Sequence, residues 1–167
     1  MVRRTWSPKG QTPILLQRGR TYQKVSMIAA VTVAPKRLRT GLYFGLHVDR
    51  NIKGPHVVRF LKALVRHLNK PLIIVWDKSR SHGNAKVVKQ FQRTYPHVVF
   101  YDFPSYAPEL NPVEFFWAYL KMNPLANLAF TMIEKLAYAA RYHSSKISKQ
   151  PGIIRSFLYA TSLFCRK

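Results

Sequence analysis

The sequence predicts an α/β layer fold, on two observations. From about residue 50 onward, segments with helical apolar spacing alternate with short apolar runs rich in β-branched residues, the order of a fold that layers helices on a sheet. The 167 residues, 47% of them hydrophobic, also suffice for one domain with a real core. No repeat of the roughly 20–50 residues that mark a solenoid is visible.

The elements follow in order. Residues 1–22, rich in Arg, Lys, Gly, Pro and Gln, read as a basic loop with a short strand at "PILLQRG". "KVSMIAAVTV" (24–33) reads as a buried strand and "LRTGLYFGLHV" (38–48) as its hairpin partner. Gly41 and Gly45 in the second strand mark a bulge or a close approach. In "PHVVRFLKALVRHLN" (55–69), Val57, Val58, Leu61, Leu64, Val65 and Leu68 fall on one helical face, and Pro55 suits the first turn. "LIIVWD" is a continuous apolar run, read as an inner parallel strand covered on both faces. A helix capped by Asn84 and running to about Thr94 turns Val87, Val88 and Phe91 inward. "HVVFYDF" (97–103) is another strand, and "PSYAPELNP" a proline-rich loop. Helices are expected over 112–121, 131–143 and 153–164, with "HSSKISKQPG" a basic loop before the last. Residues 1–167 read as one domain.

Charge narrows the partners. Twenty-eight Lys and Arg against six Asp and Glu give a net charge of +22. That much positive charge repels itself, and nucleic acid is the commonest polyanion that relieves it. The basic residues are spread along the chain instead of lining one amphipathic helix, which disfavours a membrane surface. The single cysteine, Cys165, excludes an internal disulfide and a thiolate zinc cluster. No apolar h-region follows the basic N-terminus, and no apolar run approaches the roughly 18 residues of a membrane span. Together these predict a soluble, cytoplasmic protein.

Against this basic background the carboxylates stand out. Asp77 ends the "IIVW" strand, and ligands of open α/β sheets bind beyond such ends. A rigid strand delivering a carboxylate there makes a metal ligand; the alternative is an Asx turn onto the Ser79 or Arg80 amide. In "LNPVEFFWAYLK", Asn111 is a good N-cap, Pro112 a good first residue, and Glu114 sits three beyond the cap. Glu114 reads either as the glutamate of a capping box or as a second ligand at the edge of the apolar face formed by Val113, Phe116, Trp117 and Leu120. Two carboxylates in one place repel each other unless a cation lies between them. Oxygen donors without Cys or clustered His favour Mg²⁺ or Mn²⁺ over Zn²⁺. A pair of such ions, roughly 3.5–4 Å apart, activates water and stabilises the leaving oxygen of a phosphodiester.

"IIVWDKSRSH", followed from residue 103 by "FPSYAPELNPVEFFWAYLK", strongly resembles the catalytic domain of insertion-sequence transposases related to the mariner elements. "TWSPKGQTP" (5–13) resembles a further block of the same family, and the resemblance covers about residues 3 to 140. It implies a ribonuclease H-like fold, a central mixed sheet flanked by helices, with three acidic metal ligands and Mg²⁺ or Mn²⁺ as cofactor. It also implies metal-dependent strand cleavage and strand transfer on transposon-end and target DNA. Asp77 and Glu114 match two of the ligands; His82 matches a histidine common in the family. The first ligand has no match, because no acidic residue precedes Asp49. The expectation is therefore a domain incomplete at its N-terminus and lacking its first strand. Such a domain is inactive alone, a remnant or regulatory fragment, or is completed by the upstream half of a split transposase; homodimers are usual in the family. Asp49 and Asp102 are the candidate substitutes. Arg3, Arg4, Lys9 and Arg18 around Trp6, with Lys78, Arg80, His82 and Lys121 beside the carboxylates, form the expected DNA-contacting set. Lys146 to Lys149, "KISK", adds a second basic patch, whereas Tyr95, Tyr101, Tyr106 and Trp117 are read as core.

Overall fold

The structure, a computed structural model, describes residues 6–12, 14, 23–35, 39–77, 85–128, 130 and 132–162. Its first element is a hairpin of β1 (Val25–Val33) and β2 (Thr40–Val48), paired antiparallel without a bulge from Val25↔Val48 to Val33↔Thr40. Close approach explains the glycines of β2. A Cβ on Gly41 would lie 2.8 Å from the Thr32 hydroxyl, and one on Gly45 would lie 3.1 Å from the Ile28 side chain.

Helix α1 (Gly54–Leu68) carries Pro55 in its first turn, buries Val57, Leu61, Leu64 and Val65, and stops at Asn69, whose N–H donates to the Val65 carbonyl at 2.9 Å and whose left-handed φ of 47° turns the chain out of the helix. The chain then forms β3 (Leu72–Trp76), α2 (Ala85–Thr94) and β4 (Val98–Asp102). β3 and β4 pair in parallel, with Leu72↔Val98 at one end and Trp76↔Asp102 at the other. After a short 3₁₀ turn at Pro108–Leu110 come α3 (Pro112–Met122), α4 (Ile133–Ser148) and α5 (Pro151–Tyr159). Among the described residues no helix is long and apolar enough to cross a membrane.

Because side chains alternate along a strand, the hairpin closes two cores. Ile28, on one face, joins Val57, Leu61, Val65, Phe91 and Val98, with Leu72, Ile74, Trp76 and Phe100 packed on them. On the other face Leu42, with Met27, Ala29 and Val31, meets Phe116, Leu120, Ile147, Ile154 and Phe157. Helices α1 and α2 thus lie on one side of the hairpin, and α3, α4 and α5 on the other.

Four expectations are corrected. The expected central mixed sheet does not form among the described residues: β1–β2 and β3–β4 are two separate two-stranded sheets, because neither β1 nor β2 is hydrogen-bonded to β3 or β4. β3 is parallel, as its apolar run suggested, but it is not covered on both faces. Leu72, Ile74 and Trp76 pack inward, whereas Ile73 is 71% exposed and Val75, Val99 and Tyr101 are exposed beside it. Tyr101 and Tyr106 are therefore surface residues, not core; Tyr95 and Trp117 do pack against the two cores. Finally, "HSSKIS" is not loop. α4 continues through it, because Ser144 and Ile147 extend the buried series Ile133, Ala137, Ala140 at helical spacing. The N-cap proposed at Asn84 and the strand at "PILLQRG" fall wholly or largely outside the described residues.

Candidate functional site

The carboxyl ends of β3 and β4 define the region. Alternation puts Trp76 and its register partner Asp102 on the same face, toward α1 and α2. There the Trp76 indole N–H donates to the Asp102 carboxylate at 3.1 Å, and the Trp76 ring lies 4.8 Å from that of Phe100. Asp102 is thereby engaged as an acceptor beside the aromatic cluster. Nothing in the sequence announces this contact, because it joins residues brought side by side only by the β3–β4 register.

Asp77 follows Trp76 directly and is half-buried. Pairing continues past the strand, since the Phe103 N–H donates to the Trp76 carbonyl at 2.7 Å. The peptide linking Trp76 to Asp77 is thus tied to the end of β4. Carried one residue further, strand alternation puts position 77 on the face opposite Trp76 and Asp102.

Glu114 is exposed in the otherwise half-buried first turn of α3. Asn111 caps that turn, its side-chain oxygen accepting from the Val113 N–H at 3.1 Å. A capping box needs the Glu114 carboxylate to take the Asn111 N–H, but that N–H already donates to the Pro108 carbonyl at 3.0 Å. The carboxylate is therefore left for another role. The turn carrying it is held from below by Phe116, fully buried, and by Leu120. Val113, Phe116, Trp117 and Leu120 do form one packed face, as the spacing predicts.

Asp77 thus belongs to the element that closes the first core, and Glu114 to the helix that closes the second. The hairpin is the structure common to both. Asp49, at the end of β2, takes a left-handed φ of 50° and is exposed. Among the described residues no group of three or more His, Cys, Asp or Glu is placed to hold a metal ion. Donor chemistry nonetheless fits a hard divalent cation, which is typically bound by one or two carboxylates together with substrate phosphates. Four of the six carboxylates in this chain (Asp77, Asp102, Glu109 and Glu114) lie between residues 77 and 114.

Two members of the expected DNA-contacting set are described. Lys9 is exposed in a turn closed by the Gln11 N–H on the Pro8 carbonyl at 3.0 Å, with Gly10 at φ 83°; Lys121 is exposed in the last turn of α3. Arg3, Arg4, Arg18, Lys78, Arg80 and His82 lie outside the described residues.

A family model described as DDE superfamily endonuclease matches residues 1–137, with Asp77 and Glu114 inside the match. The chain belongs to that family. It is thus a DDE-type transposase or endonuclease domain, of mixed α/β architecture, and DNA is its substrate class. No curated protein matches this DDE endonuclease chain. The family match ends within α4, so most of α4 and all of α5 lie beyond it.

Proposed function

We propose that this DDE endonuclease chain is a single transposase catalytic domain of the mariner-related, ribonuclease H-like kind, which cuts DNA strands and transfers the cut ends to target DNA. The observation that supports this most is the placement of Asp77 at the carboxyl end of a parallel strand within the family match. Asp77 and Glu114 hold Mg²⁺ or Mn²⁺ through carboxylate oxygens. Such an ion, when bound, activates water and stabilises the leaving oxygen of a phosphodiester. Asp77 supplies a donor directly after β3, whose last residue, Trp76, is held by the β3–β4 register. Glu114 supplies a second one from the first turn of α3, which Phe116 and Leu120 hold in place. Lys9 and Lys121, with Arg3, Arg4, Arg18, Lys78, Arg80 and His82, neutralise the DNA backbone and fix its path.

A second reading is favoured by one observation: among the described residues no group of three or more His, Cys, Asp or Glu is placed to hold a metal ion. On that reading the chain binds DNA, or a partner supplying the third ligand, without cutting alone. The partner is a second copy or another transposase polypeptide. A cleavage assay with Mn²⁺ on duplex DNA separates the two. Strand cuts that disappear in Asp77→Asn and in Glu114→Gln support the enzyme. DNA binding that survives both substitutions, with no cut from any chain, contradicts catalysis by this chain alone.

A further inference from the structure

We propose that the outer face of α4 is a binding strip for unpaired nucleotides, separate from the carboxylate site. α4 packs through Ile133, Ala137, Ala140, Ser144 and Ile147. Helical geometry then puts Lys135, Tyr138, Tyr142, Lys146 and Lys149 on the opposite face, and all five are exposed. Tyr138 is 71% exposed and Tyr142 43%. Their rings are nevertheless ordered against each other, parallel to within 12° with centroids 6.2 Å apart. The Lys146 ammonium lies 4.6 Å from the Tyr142 centroid, which fixes one end of the ladder.

This face contributes nothing to either core, yet it holds two flat rings in register among three ammonium groups. A ligand using both features must be flat and anionic at regular intervals. An unpaired DNA strand meets both conditions, its bases stacking on the tyrosines and its phosphates meeting the lysines. A duplex offers phosphates but keeps its base faces inside, so it engages the lysines alone. A second copy of the chain is disfavoured by mutual repulsion at a net charge of +22. Most of the strip lies past residue 137, where the family match ends. It shares with the proposed function only the premise that the chain handles DNA.

The test is fluorescence anisotropy of the full chain with three probes: an oligothymidine of about 16 nucleotides, an abasic strand of equal length, and a duplex. The wild-type chain is expected to bind oligothymidine more tightly than the abasic strand. Replacing both tyrosines, Tyr138→Ala with Tyr142→Ala, is expected to weaken oligothymidine binding about tenfold or more. Duplex affinity and the thermal midpoint should stay unchanged, and Tyr142→Phe should bind oligothymidine as the wild type does. Equal binding of oligothymidine and the abasic strand by the wild type overturns the proposal. So does oligothymidine binding that is indifferent to the double alanine change. A change of oligomeric state on that substitution, with oligothymidine binding intact, marks the face as a protein interface and overturns it too. Failure of the wild type to bind the duplex at all counts instead against the nucleic-acid reading on which the proposed function stands.

Discussion

Asp77 and Asp102 sit at the ends of paired strands, and Asp102 is tied to an aromatic donor. The indole of Trp76 takes up Asp102, so Asp102→Asn, which keeps an acceptor oxygen, is expected to leave cleavage within about twofold of wild type. With Asp77 in the proposed role of metal ligand, Asp77→Asn is expected to reduce it by about a hundredfold or more. Equal losses in a single-turnover assay would refute that division of labour. His47 gives a pH dependence. Burial, helped by the neighbouring charges of His56, Arg50 and Arg59, holds its imidazole below the ordinary histidine value. The unfolded chain therefore binds a proton there at higher pH than the folded one. The stability that neutral His47 contributes is complete above pH of about 6.5 and is lost as pH falls through the folded value. Urea midpoints are expected to fall between about pH 7 and pH 5, with a shallower fall in His47→Gln; identical slopes would remove His47 as a cause. Ser144 is a fully buried hydroxyl without a hydrogen-bond partner. Ser144→Ala is thus expected to be neutral or stabilising by up to about 1 kcal/mol in denaturant unfolding.

At the scale of elements, burial decides what each contributes. Phe116 is fully enclosed on α3, so Phe116→Ala is expected to cost about 3–5 kcal/mol. Ile73 belongs to an equally apolar stretch but is open to solvent, so Ile73→Thr is expected to cost about 0.5 kcal/mol or less. Comparable losses in urea titrations would mean that the face of β3 carrying Ile73 is covered. The contrast also shows what the sequence alone reveals. The apolar positions of α1 and α3 were legible because a 3.6-residue period is local information, and Pro55, Pro112 and Asn111 mark helix starts by backbone chemistry alone. "LIIVW" identified a strand but not its surroundings, since a continuous apolar run reads alike whether one face or two are covered. α4 runs beyond its expected end: Ser144, Ser145 and Lys146 resemble loop composition, whereas packing of Ser144 and Ile147 keeps the helix going.

For the whole molecule, separation of the described strands into two small sheets was not legible, because strand pairing is a long-range property that no local pattern encodes. The carboxylates stand out in the sequence for the opposite reason: six acidic residues in a chain of net charge +22 are conspicuous. That charge also makes DNA affinity strongly salt-dependent, so duplex binding is expected to fall by orders of magnitude between about 50 and 200 mM salt.

The central claim is that Asp77 and Glu114 share one divalent ion, although they belong to elements closing different cores. The most direct measurement is paramagnetic broadening of backbone amide signals by substoichiometric Mn²⁺. Joint broadening of the signals around Asp77 and around Glu114, abolished at both places by Asp77→Asn, is the predicted result. Broadening at one of the two places alone, or at neither, would contradict the claim.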